Sequence, residues 1–557
     1  MVLGSILSPL PKQLAIVGDD EKGSKVPTAI ILGAGQAAAG AALALTRHTG
    51  IEVTILDIGL TLETARQQTV DLIAAKAPED WDSGIVQLIS GQPVHSNVRG
   101  LPEKRVFDSD FPFRNCGQLE HITMNSGLNQ SIVSGAYGGF SNVWGAQVMP
   151  FNSATLSTWP FTAQDIQPHY RAVLKSIPYA AEEDDLATLS PLIGEAEPLP
   201  PLSDRTKRTL ATYRRHRRQI GRLGILVGRA RLAFTASKCV LCGLCMTGCP
   251  YSLMYSAAHT FNQLRAKHLV KYQSGFMAVA VGEEEDRAWV QAKDLSTGRV
   301  HRFEADRIFI ACGAFGTTRL VLGSLRIFSQ EVAFKESAQF SLPFWSRIPT
   351  PDPWQTPQFT LNQFNLVIPF DDVGLEVSQL HFYTYDPAFF NAFPAALRSP
   401  MAQPLARSLL RHLSVALGYL PSWHSPGLRL TARPPLRNGD LPQMTVSRDP
   451  SSWRHDSMLP RVLTRLVRAA PYLDLWPVLP KLMLAAGGKS YHWGSSFPHA
   501  RSRAGTFSSD LLGRTGPWQR VHMVDASVFP NVPATTFGLT VMANAHRIAT
   551  EALREPW

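Results

Sequence analysis

Apolar runs near the start of the chain predict the opening unit of an α/β domain. Residues 29–32, Ala-Ile-Ile-Leu, form a continuous apolar run, which is typical of a strand buried in a parallel sheet. An alanine-rich stretch up to Leu45 predicts a helix, and the apolar run 53–56 predicts a second buried strand that ends at Asp57. The order strand, helix, strand predicts a βαβ unit.

The hydrophobic pattern changes further along the chain. The stretches 289–292 and 300–303 flank a Ser-Thr-Gly turn and predict a hairpin, which leads into a buried strand at 308–311. Residues 364–370 and 375–385 predict two more strands and favour an antiparallel sheet. The segments 405–413 and 461–468 carry apolar residues at helical spacing and predict basic amphipathic helices. Their arginines are Arg407, Arg411, Arg461, Arg465 and Arg468.

Length and charge set the class of protein. The chain has 557 residues, 45% of them hydrophobic and 18% charged, which is enough for two or three globular domains. The formal net charge of +10 suits an anionic substrate, an acidic partner or an anionic membrane surface. Basic residues are spread along the chain, so we do not expect nucleic-acid binding. The two amphipathic segments are open to two interpretations, peripheral contact with a membrane or a solvated helix face.

Targeting signals are not evident in the sequence. No run of eighteen apolar residues predicts a transmembrane helix. Residues 1–27 lack the basic start and apolar core of a signal peptide and predict a loose leader. We therefore expect a cytoplasmic protein with reduced thiols, with peripheral attachment to the inner face of the membrane left open.

The turn between the first two strands carries a dinucleotide fingerprint. Gly33 permits the tight turn, Gly35 lets the backbone approach a diphosphate, and Ala38 takes the third small position. Gly40 is expected to keep the helix close to the sheet. Asp57, at the end of the second strand, is placed to bind a ribose hydroxyl. The fingerprint predicts a dinucleotide site at a helix N-terminus but does not distinguish FAD from NAD.

Four of the six cysteines lie within eleven residues, at positions 239, 242, 245 and 249, and Pro250 follows. Cys239, Cys242, Cys245 and Cys249 thus have the C-x2-C-x2-C-x3-C-P spacing of iron–sulfur ligation. A zinc site and a merely structural loop are the alternatives. The spacing leaves the cluster open between 4Fe-4S and 3Fe-4S, and the distant Cys116 and Cys312 are candidate remote ligands.

Four segments, in order, resemble the glucose–methanol–choline (GMC) oxidoreductases. They are the Gly-Gly-Phe-Ser-Asn-Val-Trp-Gly loop at 138–145, the Trp-Pro stretch at 159–170, the Ala-Cys-Gly-Ala segment at 306–320, and Val-Asp-Ala-Ser-Val-Phe-Pro at 524–530 with the helix after it. The nearest look-alikes are family members with a similar cysteine insertion. The resemblance implies FAD, and it adds these residues to the FAD site: Gly138, Gly139, Ser141, Asn142, Gly145, Gly313, Asp525, Ala526 and Thr540.

The resemblance also implies a catalytic pair. His492 matches the family's base histidine, although the surrounding pattern is one residue short, and His499 is its nearest rival. Counting back from Thr540 places Thr536 where the family has Asn or His. Thr536 can donate and accept a hydrogen bond but has no basic nitrogen. A histidine is the right residue for this work, because an alcohol proton needs a base within hydrogen-bond reach.

The resemblance implies an α/β fold, with a Rossmann-type FAD-binding domain and a second α+β substrate domain built on an antiparallel sheet. The expected boundaries are 28–150, 257–328 and 491–557 for the FAD domain, 151–235 for a substrate or cap segment, 236–256 for the cysteine loop, and 329–490 for the substrate domain.

The function that follows is FAD-dependent oxidation of a hydroxyl on a sugar, glycoside or other small alcohol. Electrons would pass through the cluster to a protein or quinone rather than to oxygen. Two alternatives stay open, a redox-neutral flavoenzyme that epimerises by transient oxidation, and an electron-transfer or assembly subunit with a degenerate substrate site.

Overall fold

A computed structural model describes residues 26–90, 103–351, 358–370, 376–384, 395–449, 458–502 and 505–557. The expected leader at 1–27 therefore lies almost wholly outside the described residues. Within them, no helix has the length and apolar character needed to span a bilayer.

The described residues form both strands and helices. The strands are β1 (Thr28–Leu32), β2 (Glu52–Asp57), β3 (Ile122–Met124), β4 (Leu226–Arg229), β5 (Lys271–Ser274), β6 (Phe276–Glu284), β7 (Arg287–Asp294), β8 (Val300–Ala305), β9 (Arg307–Ile310), β10 (Glu331–Glu336), β11 (Gln339–Trp345), β12 (Asn362–Phe370), β13 (Glu376–Tyr383), β14 (Leu413–Tyr419), β15 (Leu428–Arg433), β16 (Gln443–Arg448), β17 (Trp476–Pro477), β18 (Met483–Leu484), β19 (Trp493–Gly494) and β20 (Val521–Met523). The helices are α1 (Gln36–Leu45), α2 (Thr64–Ala74), α3 (Ser83–Ser90), α4 (Ser153–Leu156), α5 (Ala163–Leu174), α6 (Asp204–Arg222), α7 (Ala257–Ala266), α8 (Ala314–Ser324), α9 (Ala395–Arg398), α10 (Gln403–Leu410), α11 (Met458–Leu473) and α12 (Gly538–Ala552).

A parallel sheet forms the first layer of the molecule, in the order β20-β9-β1-β2-β5. β1 is central, with β2 and β9 as its parallel neighbours. Its residues 29–32 are at most 4% exposed, which explains why this strand is apolar throughout. The predicted βαβ unit is confirmed.

At Gly40, helix α1 contacts helix α12 rather than the sheet. A Cβ at Gly40 would lie 2.1 Å from the carbonyl oxygen of Met542 in α12. The expectation that Gly40 keeps α1 close to the sheet is therefore wrong. Its missing side chain lets the first and last helices of the described chain touch.

An antiparallel sheet forms the second large layer, in the order β17-β11-β14-β13-β12-β4, with β18 also on β11. One face is apolar and packs on α6 and α11, where Leu366, Phe382 and Val462 share one core. Side chains alternate across a strand, so the residues between these point to the opposite face. That opposite face borders the cavity described below.

Two smaller sheets complete the fold. One has the order β19-β10-β15-β16-β3, and the other is the meander β6-β7-β8. The meander contains the predicted hairpin, since β7 and β8 pair antiparallel from Ala288 with Ala305 to Lys293 with Val300. The strand predicted at 308–311 is β9, at 307–310.

Some boundaries differ from those expected. The helix predicted at 405–413 ends at Leu410, because Leu413 already begins β14. The strand predicted at 375–385 is β13, and its two end positions lie outside the described residues. β3, from the segment assigned to the FAD domain, pairs with β16, and β4 pairs with β12. The proposed domain boundaries stay a prediction.

Candidate active site

A cavity of about 400 Å³ lies between the parallel sheet and the antiparallel sheet. We call the residues on the first side the nucleotide wall: Gly33, Gly35, Asp57, Gly139, Ser141, Gly145, Gly313, Asp525 and Ala526. We call the residues that the antiparallel sheet contributes the sheet wall: Gln339, His381, Tyr383, Leu417 and Tyr419. His492 and Thr536 line the same cavity.

The turn after β1 is shaped by two glycines with different roles. Gly33 has φ of +95°, and a Cβ there would lie 2.7 Å from the Ala311 carbonyl oxygen, so only glycine fits. A Cβ on Gly35 would meet nothing within 4 Å, because it faces open space. Gly35 is also the N-cap of α1, and no side chain caps that end. The free N–H groups of the first turn of α1 are thus available to an anion.

The loop at 138–142 lies against this turn. A Cβ on Gly139 would come within 3.2 Å of the Gly35 Cα, so the two loops touch. Ser141 Oγ accepts a hydrogen bond of 2.9 Å from the Ala257 amide. The Asn142 amide donates to the Tyr137 carbonyl at 3.0 Å. These side chains hold the loop in shape.

Asp57 ends β2 at the edge of the cavity, where it is 7% exposed. Burial raises its pKa to about 7, although the Tyr272 hydroxyl, which donates to Oδ2 at 2.9 Å, opposes the rise. Backbone hydrogen bonds from Ile58 and Ala34 also oppose the rise. A carboxylate has about four lone-pair sites, so beside these three donors Asp57 can still accept a hydrogen bond from a ligand hydroxyl.

Asp525 anchors the opposite end of the nucleotide wall. Burial raises its pKa, whereas hydrogen bonds from the Thr317 hydroxyl and the Ser527 amide lower it. Cys312 lies beside it, with Sγ 3.7 Å from the Leu32 carbonyl oxygen, and burial raises the pKa of this thiol. Cys312 thus lies in the nucleotide wall, and the structure gives no support to it as a remote cluster ligand.

His492 and Thr536 each have one side-chain polar atom that forms no hydrogen bond within the protein. Nδ1 of His492 and Oγ1 of Thr536 are buried without a hydrogen-bond partner. The imidazole stacks on Tyr419, with centroids 4.8 Å apart and planes at 19°, and meets the edge of Phe537. Burial lowers the pKa of His492 to about 3, so the ring is neutral at physiological pH.

The end of β10 fixes the backbone around His492. The Glu336 carboxylate accepts hydrogen bonds from the Gly488 amide and the Ser490 hydroxyl, each at 2.8 Å. The Ser337 amide donates to the His492 carbonyl at 2.9 Å. Burial raises the pKa of Glu336 to about 7, with these donors opposing it.

The sheet wall holds a histidine that sequence analysis missed. Nε2 of His381, on β13, lies 2.9 Å from the side-chain nitrogen of Gln147. Its ring contacts Tyr419 at a centroid distance of 4.9 Å. Gln339 donates to the Tyr419 hydroxyl at 2.9 Å. The alternation of polar Gln379, His381 and Tyr383 with apolar neighbours was the available signal.

Five residues assigned to the FAD site lie outside the cavity lining: Ala38, Gly40, Gly138, Asn142 and Thr540. Ala38 is fully buried, and the Thr540 hydroxyl is bonded to that of Tyr170 at 2.8 Å. The rival base His499 is also outside, with Nδ1 bonded to the Asp510 carbonyl at 2.7 Å and Nε2 facing the Asn544 amide at 3.2 Å. These residues lie outside the cavity lining and bond to or pack against its neighbours.

The cysteine loop borders the same cavity through Met246. Its four sulfurs accept hydrogen bonds from backbone amides, for example Leu241 to Cys239 and Leu244 to Cys242. The loop turns at Leu241, Gly243 and Gly248, which all have positive φ. Backbone donors of this kind stabilise thiolates.

Burial is the main cause of the pKa shifts of these four thiols. It raises the pKa of Cys239 to about 11 and that of Cys242 to about 12, and neighbouring thiols of the loop add to the rise. The pKa values of Cys245 and Cys249 are raised for the same reason. All six cysteines lie in the described residues and are free. In the part of the chain described, no three His, Cys, Asp or Glu side chains are grouped to hold a metal ion, so metal ligation stays a prediction.

The nucleotide wall suits a flavin dinucleotide in three respects. Gly35 leaves the space that a diphosphate needs, the N-terminus of α1 is uncapped, and Asp57 faces the cavity from the end of β2. The two unpartnered atoms of His492 and Thr536 lie in the same cavity. The residues present therefore fit FAD.

Comparison with known proteins supports the fold. No family model and no curated protein sequence matches this chain. Among solved structures, the chain is similar to pyridoxine 4-oxidase from Mesorbium loti, with 12% identity, 95% of this chain and 100% of that chain covered, and a TM-score of 0.57. The predicted fold class is confirmed, α/β with a Rossmann-type parallel sheet and a second α+β part built on an antiparallel sheet.

Proposed function

We propose that this protein is an FAD-dependent oxidoreductase of the GMC type that oxidises a hydroxyl group on a small molecule. The observation that carries the proposal is the position of His492 and Thr536. Both end in a buried polar atom without a protein partner, and both line the cavity that the glycine turn opens into. The name of the structural neighbour, an oxidase of pyridoxine, agrees with this chemistry.

The residues of the chain have separate tasks. Gly33, Gly35 and Asp57 would hold the dinucleotide, and FAD bound there would accept a hydride from the carbon that bears the hydroxyl. His492 is neutral and accepts the hydroxyl proton as that carbon is oxidised. Thr536 orients the hydroxyl oxygen through a hydrogen bond. The closed aromatic surroundings of His492 keep water from the reacting atoms.

The test is reduction of the bound flavin without oxygen. A panel of sugars, glycosides and simple alcohols is mixed anaerobically with the purified protein, and flavin absorbance is followed. We expect at least one compound to bleach it, and His492→Ala to slow the bleaching by about 10² to 10⁴-fold with flavin content unchanged. The control is His412→Ala, because His412 lies in the turn before β14 and does not line the cavity.

Three outcomes separate this proposal from its alternatives. Full activity in His492→Ala removes the base from the proposal. Turnover without any external acceptor favours the redox-neutral epimerisation. A flavin that no compound bleaches favours the electron-transfer or assembly subunit.

We also propose that Cys239, Cys242, Cys245 and Cys249 hold an iron–sulfur cluster, 4Fe-4S or 3Fe-4S. Four soft donors in one loop, each with backbone donors, support it. The sulfurs around a multi-iron cluster also lie farther apart than those around one ion. Such a cluster passes electrons singly, which would suit a protein or quinone acceptor rather than oxygen.

Metal analysis tests the cluster. Anaerobically purified protein is assayed for iron, sulfide and zinc and examined by spin resonance. We expect Cys245→Ser to lose iron and sulfide but keep flavin, and Cys116→Ser to keep all three. Zinc in place of iron, or no metal at all, contradicts the cluster and leaves the flavin chemistry intact.

Location follows from two further observations. Six free thiols suit a reducing, cytoplasmic compartment. Arg461 and Arg465 of α11 cover the Phe370 ring at 4.7 and 4.4 Å, which favours a solvated helix face over lipid contact for these two. The exposed arginines of α6, including Arg214, Arg215 and Arg218, are the better support for peripheral membrane contact. Flotation with anionic vesicles at low salt tests this, and no co-migration contradicts it.

A further inference from the structure

Lys489 brings a buried ammonium group to the cavity. The residue is 4% exposed and belongs to the cavity lining. Its Nζ has no hydrogen-bond partner among the described residues, although an ammonium group carries three donors. Burial lowers the pKa of Lys489, and the negative charge of Glu103 opposes that shift. A buried charge without hydrogen bonds is costly, so a ligand that offers oxygen acceptors at Nζ is favoured.

The neighbours of this ammonium group leave its donors available. The Glu103 carboxylate lies 3.5 Å from Nζ, and the centroid of the Tyr491 ring lies 5.7 Å away. The Glu103 side chain is 30% exposed and also accepts from the Tyr491 hydroxyl at 3.4 Å. Glu103 therefore balances the charge of Lys489 in part, without accepting a hydrogen bond from it.

The two other cations in the described lining of the cavity are bonded to the backbone. Lys104 donates to the Trp144 carbonyl at 3.3 Å. Arg319 donates to three backbone carbonyls at 2.6 to 2.9 Å. Lys489 thus differs from both, because its charge is buried in the cavity and its donors are not used by the described residues.

Lys489 and His492 lie on one short segment that the protein holds in place. The Lys489 amide donates to the Ala486 carbonyl at 3.0 Å, and Glu336 accepts from the Gly488 amide and the Ser490 hydroxyl. Three residues of chain separate the Cα atoms of Lys489 and His492 by at most about 11 Å. Both residues line the cavity. A small molecule with its hydroxyl at His492 can therefore reach Nζ with a second group.

The diphosphate of a bound dinucleotide has other donors. The N-terminus of α1 is uncapped, and Gly35 leaves open space in front of it. Lys489 lies on a different loop, between β18 and β19. An anion at Lys489 is therefore better supplied by the substrate than by the dinucleotide.

We propose that Lys489 binds a carboxylate or phosphate group of the substrate, so that the molecule oxidised at His492 is an anionic hydroxy compound. The inference rests on the proposed function and names its substrate class. The formal net charge of +10 agrees with an anionic substrate. Lys489 is a substrate-binding residue in this view.

The first experiment measures binding alone, on the oxidised protein with its flavin. Benzoate and inorganic phosphate are the anionic probes, and benzamide has the shape of benzoate without its charge. Lys489→Met removes the ammonium group, whereas Lys489→Arg keeps a charge. The control is Lys293→Met, because Lys293 pairs with Asp440 at 2.9 Å and does not line the cavity. Calorimetry gives Kd for each probe.

We expect at least one anionic probe to bind the wild-type protein. Lys489→Met should raise its Kd by about tenfold to a hundredfold, because charge-assisted hydrogen bonds are lost. The Kd of benzamide should not change. Lys489→Arg should recover most of the loss, and Lys293→Met should behave as wild type.

The second experiment uses pairs of compounds that share a hydroxyl and differ in charge. The pairs are glycerol 3-phosphate with glycerol, glucose 6-phosphate with glucose, and 4-(hydroxymethyl)benzoate with benzyl alcohol. Anaerobic flavin reduction gives kcat/KM. The wild-type protein should prefer the anionic member of at least one pair. Lys489→Met should remove that preference and leave kcat/KM for the neutral member unchanged.

Each failure identifies a different error. Absence of anion binding in the wild-type protein, or an equal loss for anionic and neutral compounds in Lys489→Met, overturns the inference alone. So does a Lys489→Met variant that keeps the anion preference but binds FAD more weakly or has a lower flavin midpoint potential, because the anion then belongs to the flavin. A flavin that no compound reduces overturns the proposed function and the inference with it.

Discussion

The nucleotide wall is built from backbone, whereas the sheet wall is built from side chains. At Gly33 and Gly35 the glycines create a turn and an empty space, and nothing else at these positions would leave both. At His381, Tyr419 and Gln339 the contacts come from the ends of long side chains. The first wall suits one ligand and tolerates little change. The second depends on which side chains its strands carry.

The largest effect on flavin binding should come from crowding the nucleotide wall at Gly33. Gly33→Ala places a Cβ 2.7 Å from the Ala311 carbonyl at φ +95°, so we expect loss of bound flavin. Gly50→Ala is the matched control, because Gly50 has φ +98° but nothing within 4 Å. Flavin content of the purified proteins measures the difference. Equal flavin in the two variants would show that crowding at Gly33 does not control flavin binding.

Asp57 is a position where the nucleotide wall depends on a side chain. Asp57→Asn should weaken FAD binding by about tenfold to a hundredfold, because it loses charge-assisted acceptance of ribose hydroxyls. FAD titration followed by flavin fluorescence measures it. Unchanged affinity would place the ribose elsewhere.

The same variant carries a pH signature in the protein without flavin. The pKa of Asp57 is raised to about 7 in the folded chain, above its value when unfolded. The free-energy cost of keeping Asp57 ionised in the folded chain therefore grows as pH rises from about 4 to about 7, and it is complete above that pH. Asp57→Asn should be more stable than wild type at pH 8, on the order of 1–4 kcal/mol, and equal to it at pH 4. Urea unfolding at the two pH values is the measurement.

Glu336 is the counterpart of Asp57 on the substrate side, since its pKa is also raised to about 7. Here the carboxylate serves Gly488 and Ser490, so it positions His492 without touching substrate. Glu336→Gln should lower kcat about tenfold and leave KM and flavin content unchanged. The fall in kcat should be the same for all substrates. A change in KM alone would assign Glu336 to substrate binding.

The smallest effect should come from Tyr419. Tyr419→Phe keeps the stack on His492 and loses only the bond from Gln339, 2.9 Å long. We expect KM to rise about twofold to fivefold with kcat unchanged. Steady-state kinetics under anaerobic conditions measure this. A large fall in kcat would show that the hydroxyl itself takes part in the reaction.

The nucleotide wall is predictable from sequence because its pattern is local. Gly33, Gly35 and Asp57 lie within one βαβ unit, and the structure brings all three to the cavity. The apolar runs of the two strands and the alanine-rich stretch of the helix could also be recognised in the sequence. The assigned positions that missed the lining, such as Gly40 and Thr540, were small or polar residues of the same motifs that face neighbouring helices instead.

The sheet wall was hidden for the opposite reason. Gln339, His381 and Tyr419 lie on β11, β13 and β14, and they meet only when these three strands pair in the order β11-β14-β13. Alternation in β13 shows that His381 and Leu380 face opposite ways but not which side holds the cavity. A single sequence gives no information on long-range strand pairing, so the second histidine required the structure.

The contact between Gly40 and Met542 bears on how the protein is made in the cell. Helix α1 leaves the ribosome long before α12, because the two helices lie far apart in the chain. The apolar side of α1 therefore stays uncovered until α12 has been synthesised, and contacts so distant in sequence form slowly. Flavin loading should then be a post-translational event, and nascent chains that stall before β20 should be captured by chaperones without acquiring colour.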